Sequence, residues 1–484
     1  MSSNKIHYLP VLCMIFYCRV LKINKLGRFE SPFRGGRFSF LLFLGVCLSF
    51  FCLVSVTGCN GGAPETSVKK CSETVQFEAV GSDYFAIGRL CGIDVAVVRS
   101  VIGKDTLVHK FVMMDSSSAA LGTDLRRRGF PEEWASAVVL RVPLMRVAAL
   151  STSQVGYMLR LGLRDRIVGV SDGQYIVDSV LYYRTRQKTP EFVESIGYDA
   201  GALEKLMALN LDLVLDFTTG GDYDNYEQIA RTNLPLMLTS EWQEDSPLAK
   251  LEWIKLYGIL FGVRALADSI YEQEKNKYET LRDLIANSAS RNGGVAGVSP
   301  ARGGSELQGA SEGEASPDNK SEKKLSSLVS RLSSKSCPRV LAGMSYGGVW
   351  HAPGGKSFTA NLIRDAGGCY LWASDSSREL NFSFEQVYAL ADSVDVWVNP
   401  SMFATAEEIV ALEPRVKNIR AFREKAVFQN DGRRGIGSGN DFYEGAITRP
   451  AELLWNFAKC IKGTVPGVNS LDTTYKWYRN IYNF

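Results

Sequence analysis

The sequence predicts an α/β fold: two lobes with parallel sheets joined by a single long helix, plus a small β-rich N-terminal prelude. Three observations predict it. From Arg141 onward short apolar runs alternate with amphipathic ones, the pattern of strands and crossover helices in a parallel sheet. A helical stretch over 246–286 separates two such regions and is too long for an ordinary crossover. The pattern E-x-[LV]-x-A-L, a short gap, an Asp and a β run occurs once on each side, from Glu204 and from Glu385.

The chain has 484 residues, 45% of them hydrophobic, enough for two or three packed domains. Its formal charge of +3 is unevenly placed. Residues 1–58 hold seven basic residues and one acid, leaving 48 bases against 51 acids in the remainder. A near-neutral body gives no electrostatic case for nucleic acid.

Residues 1–58 read as a signal peptide or leader. Arg34 and Arg37 precede the uncharged run 38–57, which ends in Val56-Thr57-Gly58-Cys59. That ending resembles the lipobox of bacterial lipoproteins, with Cys59 as the lipidation site carrying acyl chains such as palmitate. A transmembrane anchor is the competing reading of about 20 apolar residues. Residues 59–140 read as a lipid-anchored tether followed by the prelude, with β runs at 94–102 and 106–114. Export makes disulfides feasible. Cys71 and Cys91 are candidates to pair; buried free thiols are the alternative. No C-x-x-C pair suggests zinc.

The N-terminal α/β lobe spans 141–245. Strands are expected at 146–150, 166–170, 211–217 and 234–240, and helices at 153–161, 202–210 and 226–233. Ser246 then serves as N-cap with Pro247 at the first helical position, opening the linking helices 246–286, with an interruption at Gly262. Residues 287–336, rich in Gly, Ser, Glu and Lys, read as a disordered low-complexity insertion. The C-terminal α/β lobe and tail occupy 337–484.

The stretch LAGMSYGGVWHAPGGKS (341–357) contains a G-x-S-x-G match and ends like a phosphate loop. Neither holds. The three histidines are His7, His109 and His351; none follows Ser345 with room for an intervening acid, the order an α/β-hydrolase needs. The phosphate loop requires Gly at 350, where Trp350 stands. The stretch instead reads as a glycine-rich strand-to-helix loop exposing Tyr346, Trp350 and His351 at the sheet's carboxyl edge, where ligands bind. Packing beneath the loop is the competing role for Trp350 and His351.

Over 141–462, interrupted by the insertion, the chain resembles the Fe/B12-type (class III) periplasmic solute-binding proteins of ABC importers. The stretches that carry the resemblance are RVAALSTSQVGYMLRLGLRDRIVGVSD, ALEKLMALNLDLVL, GGVWHAPGGKSFTANLIRDAGGCYLW, SFEQVYALADSVDVWVNP and GNDFYEGAITRPAELLW. The resemblance implies a lipoprotein of the bacterial cell envelope that captures an iron complex (siderophore or haem) or a corrinoid and delivers it to permease subunits. It implies no catalysis and no resident cofactor. By it, the cleft is expected to be lined by Ser151, Thr152, Ser153, Gln154, Tyr175, Thr218, Thr219 and Trp242 from the first lobe. From the second it expects Tyr346, Trp350, His351, Asn440, Asp441, Phe442 and Tyr443, with His351 the candidate axial metal ligand. Glu204 and Glu385 are expected to dock the permease. The rival readings are a chelatase-like enzyme on the same fold and a surface adhesion or scaffold lipoprotein.

Overall fold

The structure is a computed structural model that describes residues 74–482 except 79, 121, 222–223, 225, 293–336, 376–377, 401–402, 404 and 464–476. The leader with Cys59, Cys71 and nearly all of the low-complexity insertion lie outside the described residues. Among the described residues no helix is long and apolar enough to cross a membrane.

The prelude is a five-stranded sheet in the order β1 (Gln76–Phe77), β2 (Phe85–Leu90), β3 (Ile93–Ile102), β4 (Asp105–Met114), β5 (Val138–Arg141). Its first four strands pair antiparallel, and β5 joins β4 in parallel. It is fused to the first lobe by a shared core: Phe85 packs 4.8 Å from Trp253, ring to ring, and Ser100 and Ser240 share a hydroxyl hydrogen bond of 2.9 Å. Cys91, in the β2–β3 turn, is disulfide-bonded.

The first lobe is a wholly parallel sheet of β6 (Val147–Ala149), β7 (Ile167–Val170), β8 (Glu194–Ser195), β9 (Leu213–Asp216) and β10 (Leu236–Leu238), in the order β10-β9-β6-β7-β8. The second has β11 (Arg339–Ala342), β14 (Cys369–Tyr370), β16 (Val396–Val398), β17 (Val427–Gln429) and β18 (Arg479–Asn480), in the order β14-β11-β16-β17-β18. Only β18 runs antiparallel, so the tail beyond the last helix returns to the sheet. The inner strands of both sheets are short and mostly of buried Val, Leu and Ala, as expected where both faces are covered.

The helices that place the site are α1 (Thr152–Arg160), α2 (Ala202–Ala208) and α3 (Tyr226–Ala230) in the first lobe. Ser151 caps α1 through a capping box with Gln154. Next come α4 (Pro247–Glu252), capped by Ser246 with Pro247 at its start, and α5 (Ile254–Leu260). Gly262, at φ +70, ends that pair. The connecting helix α6 (Arg264–Asn292) has 29 residues, roughly 43 Å at 1.5 Å each. It reaches six residues into the segment expected to be disordered. No Gly or Pro interrupts 287–292, so the ladder continues as far as the Gly293-Gly294 pair. In the second lobe lie α7 (Phe358–Asp365), α8 (Phe384–Tyr388) and α9 (Pro450–Lys462).

The halves match in more than sequence. In the first, Asp212 accepts from the N–H groups of Met145 (2.7 Å) and Arg146 (2.9 Å) and donates its own N–H to the Arg146 carbonyl. In the second, Asp395 accepts from Arg339 N–H (2.7 Å) and donates to the Arg339 carbonyl. Each Asp precedes one strand and clasps the start of its neighbour.

Two features depart from the sequence reading. Residues 344–353 are not a loop but a hairpin, β12 (Met344–Tyr346) and β13 (Val349–Pro353), extended by β15 (Glu379–Ser383). Gly347 and Gly348 both take positive φ, +57 and +83, as a two-residue turn matched to strand twist requires. A disulfide joins Cys337 to Cys369, with Cα atoms 5.6 Å apart, across the β11–β14 edge.

Candidate ligand-binding cleft

The carboxyl ends of the two sheets meet at one cleft. From the first lobe come the residues after β6, β7 and β9: Leu150 to Thr152, Ser171 and Phe217. From the second come Gly343 and Met344 after β11, Asn399 after β16, and Gln429 to Asp431 at the end of β17. The cleft has two compartments, of about 690 Å³ on the second-lobe side and 320 Å³ on the first-lobe side. Ser438, Asn440 and Tyr443 line both.

Those three shared residues sit on a strap that crosses from the second lobe to the first. Its glycine-rich start, Gly435-Ile-Gly-Ser-Gly439, lies directly on the backbone of residues 174–177. A Cβ at Gly437 or Gly439 would fall 2.4 Å from the carbonyl oxygens of Gln174 and Tyr175, so glycine is required by close approach. Ser438 N–H donates to Gln174 O at 2.8 Å. Just beyond, buried Glu444 accepts the N–H groups of Val177 and Asp178, each at 2.9 Å. Burial pushes its carboxyl up to about 8, against the pull of those two donors.

The second-lobe compartment is aromatic with a few charges. Tyr346 lies 6.3 Å from the His351 ring and 6.1 Å from Phe403. His351 Nδ1 is 3.7 Å from Glu379 Oε1 across the β13–β15 pair. Lys250 Nζ sits 4.5 Å over Phe358; burial pushes this amine down to about 8, opposed by Glu241, Glu244 and Asp245. Arg434 donates to Asp431 at 2.9 Å. Phe442, Tyr443, Asn399, Asn430 and Asn440 complete the wall. Rings, amides and two cations suit a flat or amphipathic ligand with anionic groups. Among the described residues no cluster of three or more His, Cys, Asp or Glu stands ready to hold a metal ion.

The expected lining residues divide. Ser151, Thr152, Tyr175, Tyr346, His351, Asn440, Phe442 and Tyr443 line the cleft. Trp350 does not. It is fully buried, donates its indole N–H to Ala342 O at 3.1 Å and packs on Trp397 and Phe384. The hairpin register explains this: alternate β13 residues face opposite sides, so His351 turns to the cleft and Trp350 to the core. Gln154 is also buried, closing the α1 capping box and donating to Thr239 Oγ1 at 2.9 Å. The Ser153 hydroxyl is held by Glu241 and Ser151. Thr218 and Thr219 bind Asp224; Phe217, one residue earlier, is the one in the cleft. Trp242 is exposed on the short 3-10 turn Glu241–Gln243, outside the cleft lining. Asp441 turns away to Trp477 Nε1 (2.7 Å) and Arg433 (3.3 Å). Arg434 lines the cleft and Arg433 does not.

Sequence reasoning missed Lys250, Phe358, Tyr198 and Phe217. Phe217 was within reach, because the residue just past a parallel strand is the first to face the carboxyl edge. Lys250 lies on a linking helix, where nothing local distinguishes it from a solvated lysine.

Two lobes built on parallel sheets, one connecting helix and a cleft between them define a two-lobed α/β architecture. The chain is similar in structure to periplasmic binding proteins. A periplasmic heme binding protein from Pseudomonas aeruginosa has 16% identity and a TM-score of 0.44, covering 68% of this chain and 96% of that one. The periplasmic heme-binding protein RhuT from Roseiflexus sp. RS-1 has 17% identity and a TM-score of 0.42, covering 66% and 98%. The periplasmic vitamin B12 binding protein BtuF of Vibrio cholerae has 14% identity and a TM-score of 0.39, covering 66% and 97%. No family model and no curated protein matches the chain.

Proposed function

We propose that the chain is the solute-binding component of an ABC import system, closing on a metal complex (an iron chelate, haem or a corrinoid) between its lobes. The observation that carries this reading is the two-compartment cleft, 690 and 320 Å³. It is lined from both lobes by aromatic rings with Lys250 and Arg434 at one side. Its size falls in the range of small-molecule sites. Tyr346 and His351 project from one hairpin into the larger compartment, a phenol and an imidazole within reach of one bound complex. In this reading Cys59 carries the lipid that holds the protein at the envelope, and exposed Glu204 and Glu385, each in the first turn of its helix, meet the permease.

Absorbance titration of the purified protein with haemin, cyanocobalamin and a ferric trihydroxamate tests the reading. One of the three is expected to bind stoichiometrically, and His351→Ala or Tyr346→Phe to alter its spectrum or affinity. Failure of all three, by absorbance and by calorimetry, rejects it.

A further inference from the structure

A third cavity opens off the floor of the cleft inside the first lobe. Its volume is about 40 Å³, room for about three waters at roughly 10–15 Å³ each. Leu150, Ser171, Tyr198 and Phe217 line both it and the first-lobe compartment, so they form its mouth. Helices α2 and α3 wall it behind.

Asp216, the last residue of β9, lines this cavity and is only 6% exposed. Its Oδ1 accepts the Phe217 N–H at 2.9 Å. Its Oδ2 has no hydrogen-bond partner among the described residues. Ser171 is 7% exposed, and its hydroxyl likewise has none among them. Both residues line the cavity, so a group entering it meets their open oxygens. The neighbouring acid differs: the Asp224 carboxylate already accepts from the Thr218 hydroxyl and from the N–H groups of Thr219 and Gly220. Asp199 accepts the Gly201 N–H. Lys205, the nearby cation on α2, is spent on the carbonyls of Ser195 and Ile196. Two acceptors therefore face a small space whose surrounding charge is negative.

We propose that this cavity is a subsite for a primary ammonium group on an arm of the bound ligand, held by Asp216 and Ser171; the assignment rests on the cleft being the ligand site. A carboxylate is repelled by Asp216 and Asp224. A quaternary ammonium is too bulky and brings no N–H donor. A primary ammonium supplies three donors, matches the two unpaired acceptors and fits the volume. Burial, with the charge of Asp224 adding to it and the Phe217 N–H opposing, pushes the Asp216 carboxyl up to about 7. A cation beside it reverses that shift.

Two measurements test this. In the first, a ferric trihydroxamate with a pendant primary ammonium is compared with its N-acetylated form. The ammonium form is expected to bind about tenfold tighter or better, and Asp216→Asn to bring the ratio near one. Equal affinities in the natural protein, or a preference that survives D216N, overturn the subsite. In the second, carbon-detected NMR follows the Asp216 carboxyl in the unsubstituted protein during pH titration. Methylammonium chloride is expected to lower its midpoint, whereas tetramethylammonium chloride at the same strength does not. If methylammonium acts no differently from sodium chloride, the subsite is rejected. If neither chelate binds, the cleft reading loses support, and the methylammonium titration alone decides the subsite.

Discussion

Glu444 accepts the backbone N–H of Val177 at 2.9 Å, tying the strap of the second lobe to a loop of the first. Its other oxygen takes the N–H of Asp178. Glu444→Ala leaves both donors without acceptors and is expected to destabilise the protein by about 1–3 kcal/mol. Glu444→Gln keeps one carbonyl acceptor and is expected to lose less. Urea denaturation checks this; natural stability in Glu444→Ala would contradict the tie.

Trp350 fills the space between Trp397 and Phe384. Trp350→Ala is expected to cost about 3–5 kcal/mol, the range for emptying a large aromatic site, with Trp350→Phe milder. At temperatures where the variant is folded, its ligand affinity stays near that of the natural protein. A variant of full stability with weakened binding would return Trp350 to the cleft.

Stability should fall as pH rises from about 5 to 8. Glu244, buried against Ser82 and Trp253, is pushed up to about 7 by burial, and Glu444 to about 8. Unfolded glutamates titrate near 4.3. Between those values the folded protein holds protons that the unfolded chain has released, so stability declines with pH across the window. Thermal melts from pH 5 to 8 check the slope. Glu244→Gln should flatten its lower part, and an unchanged slope would show that Glu244 titrates normally in the fold.

The docking role of Glu204 and Glu385 predicts a split phenotype. Both are exposed, and Glu385 pairs with Arg415 at 2.8 Å on the surface. The double change to alanine should leave melting temperature and ligand affinity nearly unmoved, because exposed pairs add little. Ligand-stimulated ATPase activity of the cognate transporter should fall sharply, and full transport would remove the docking role.

Elements with a local signal were legible in the sequence. Ser246-Pro247 opens α4 as its capping chemistry requires, and the matched motifs from Glu204 and Glu385 lead to the matched clasps at Asp212 and Asp395. The hairpin was not. Gly347-Gly348 is itself a hairpin signal, but the surrounding glycines suggested a flexible loop, and Trp350 was placed with it. What buries Trp350 is Trp397, 47 positions on, a contact no local pattern reveals. The Cys337–Cys369 pairing spans 32 positions and is likewise set by β11 lying beside β14. Within the cleft, Ser151 and Thr152 after β6 and Asn440, Phe442 and Tyr443 after the glycine strap were found, while residues tied into capping networks, such as Gln154 and Ser153, were misplaced.

Ile285 in α6 and Cys337 after the insertion both lie beside Gly367 of the second lobe. Cys337 Sγ lies 3.7 Å from the Gly367 carbonyl oxygen, and a Cβ on Gly367 would fall 3.0 Å from Ile285 of α6. The disulfide fastens the returning end to the edge of the second sheet. Ile285 packs in the core of the second lobe, so both flanks of the segment rest on one lobe. A foreign domain spliced between 293 and 336, such as a fluorescent reporter, is therefore joined to the second lobe alone and need not pry the lobes apart.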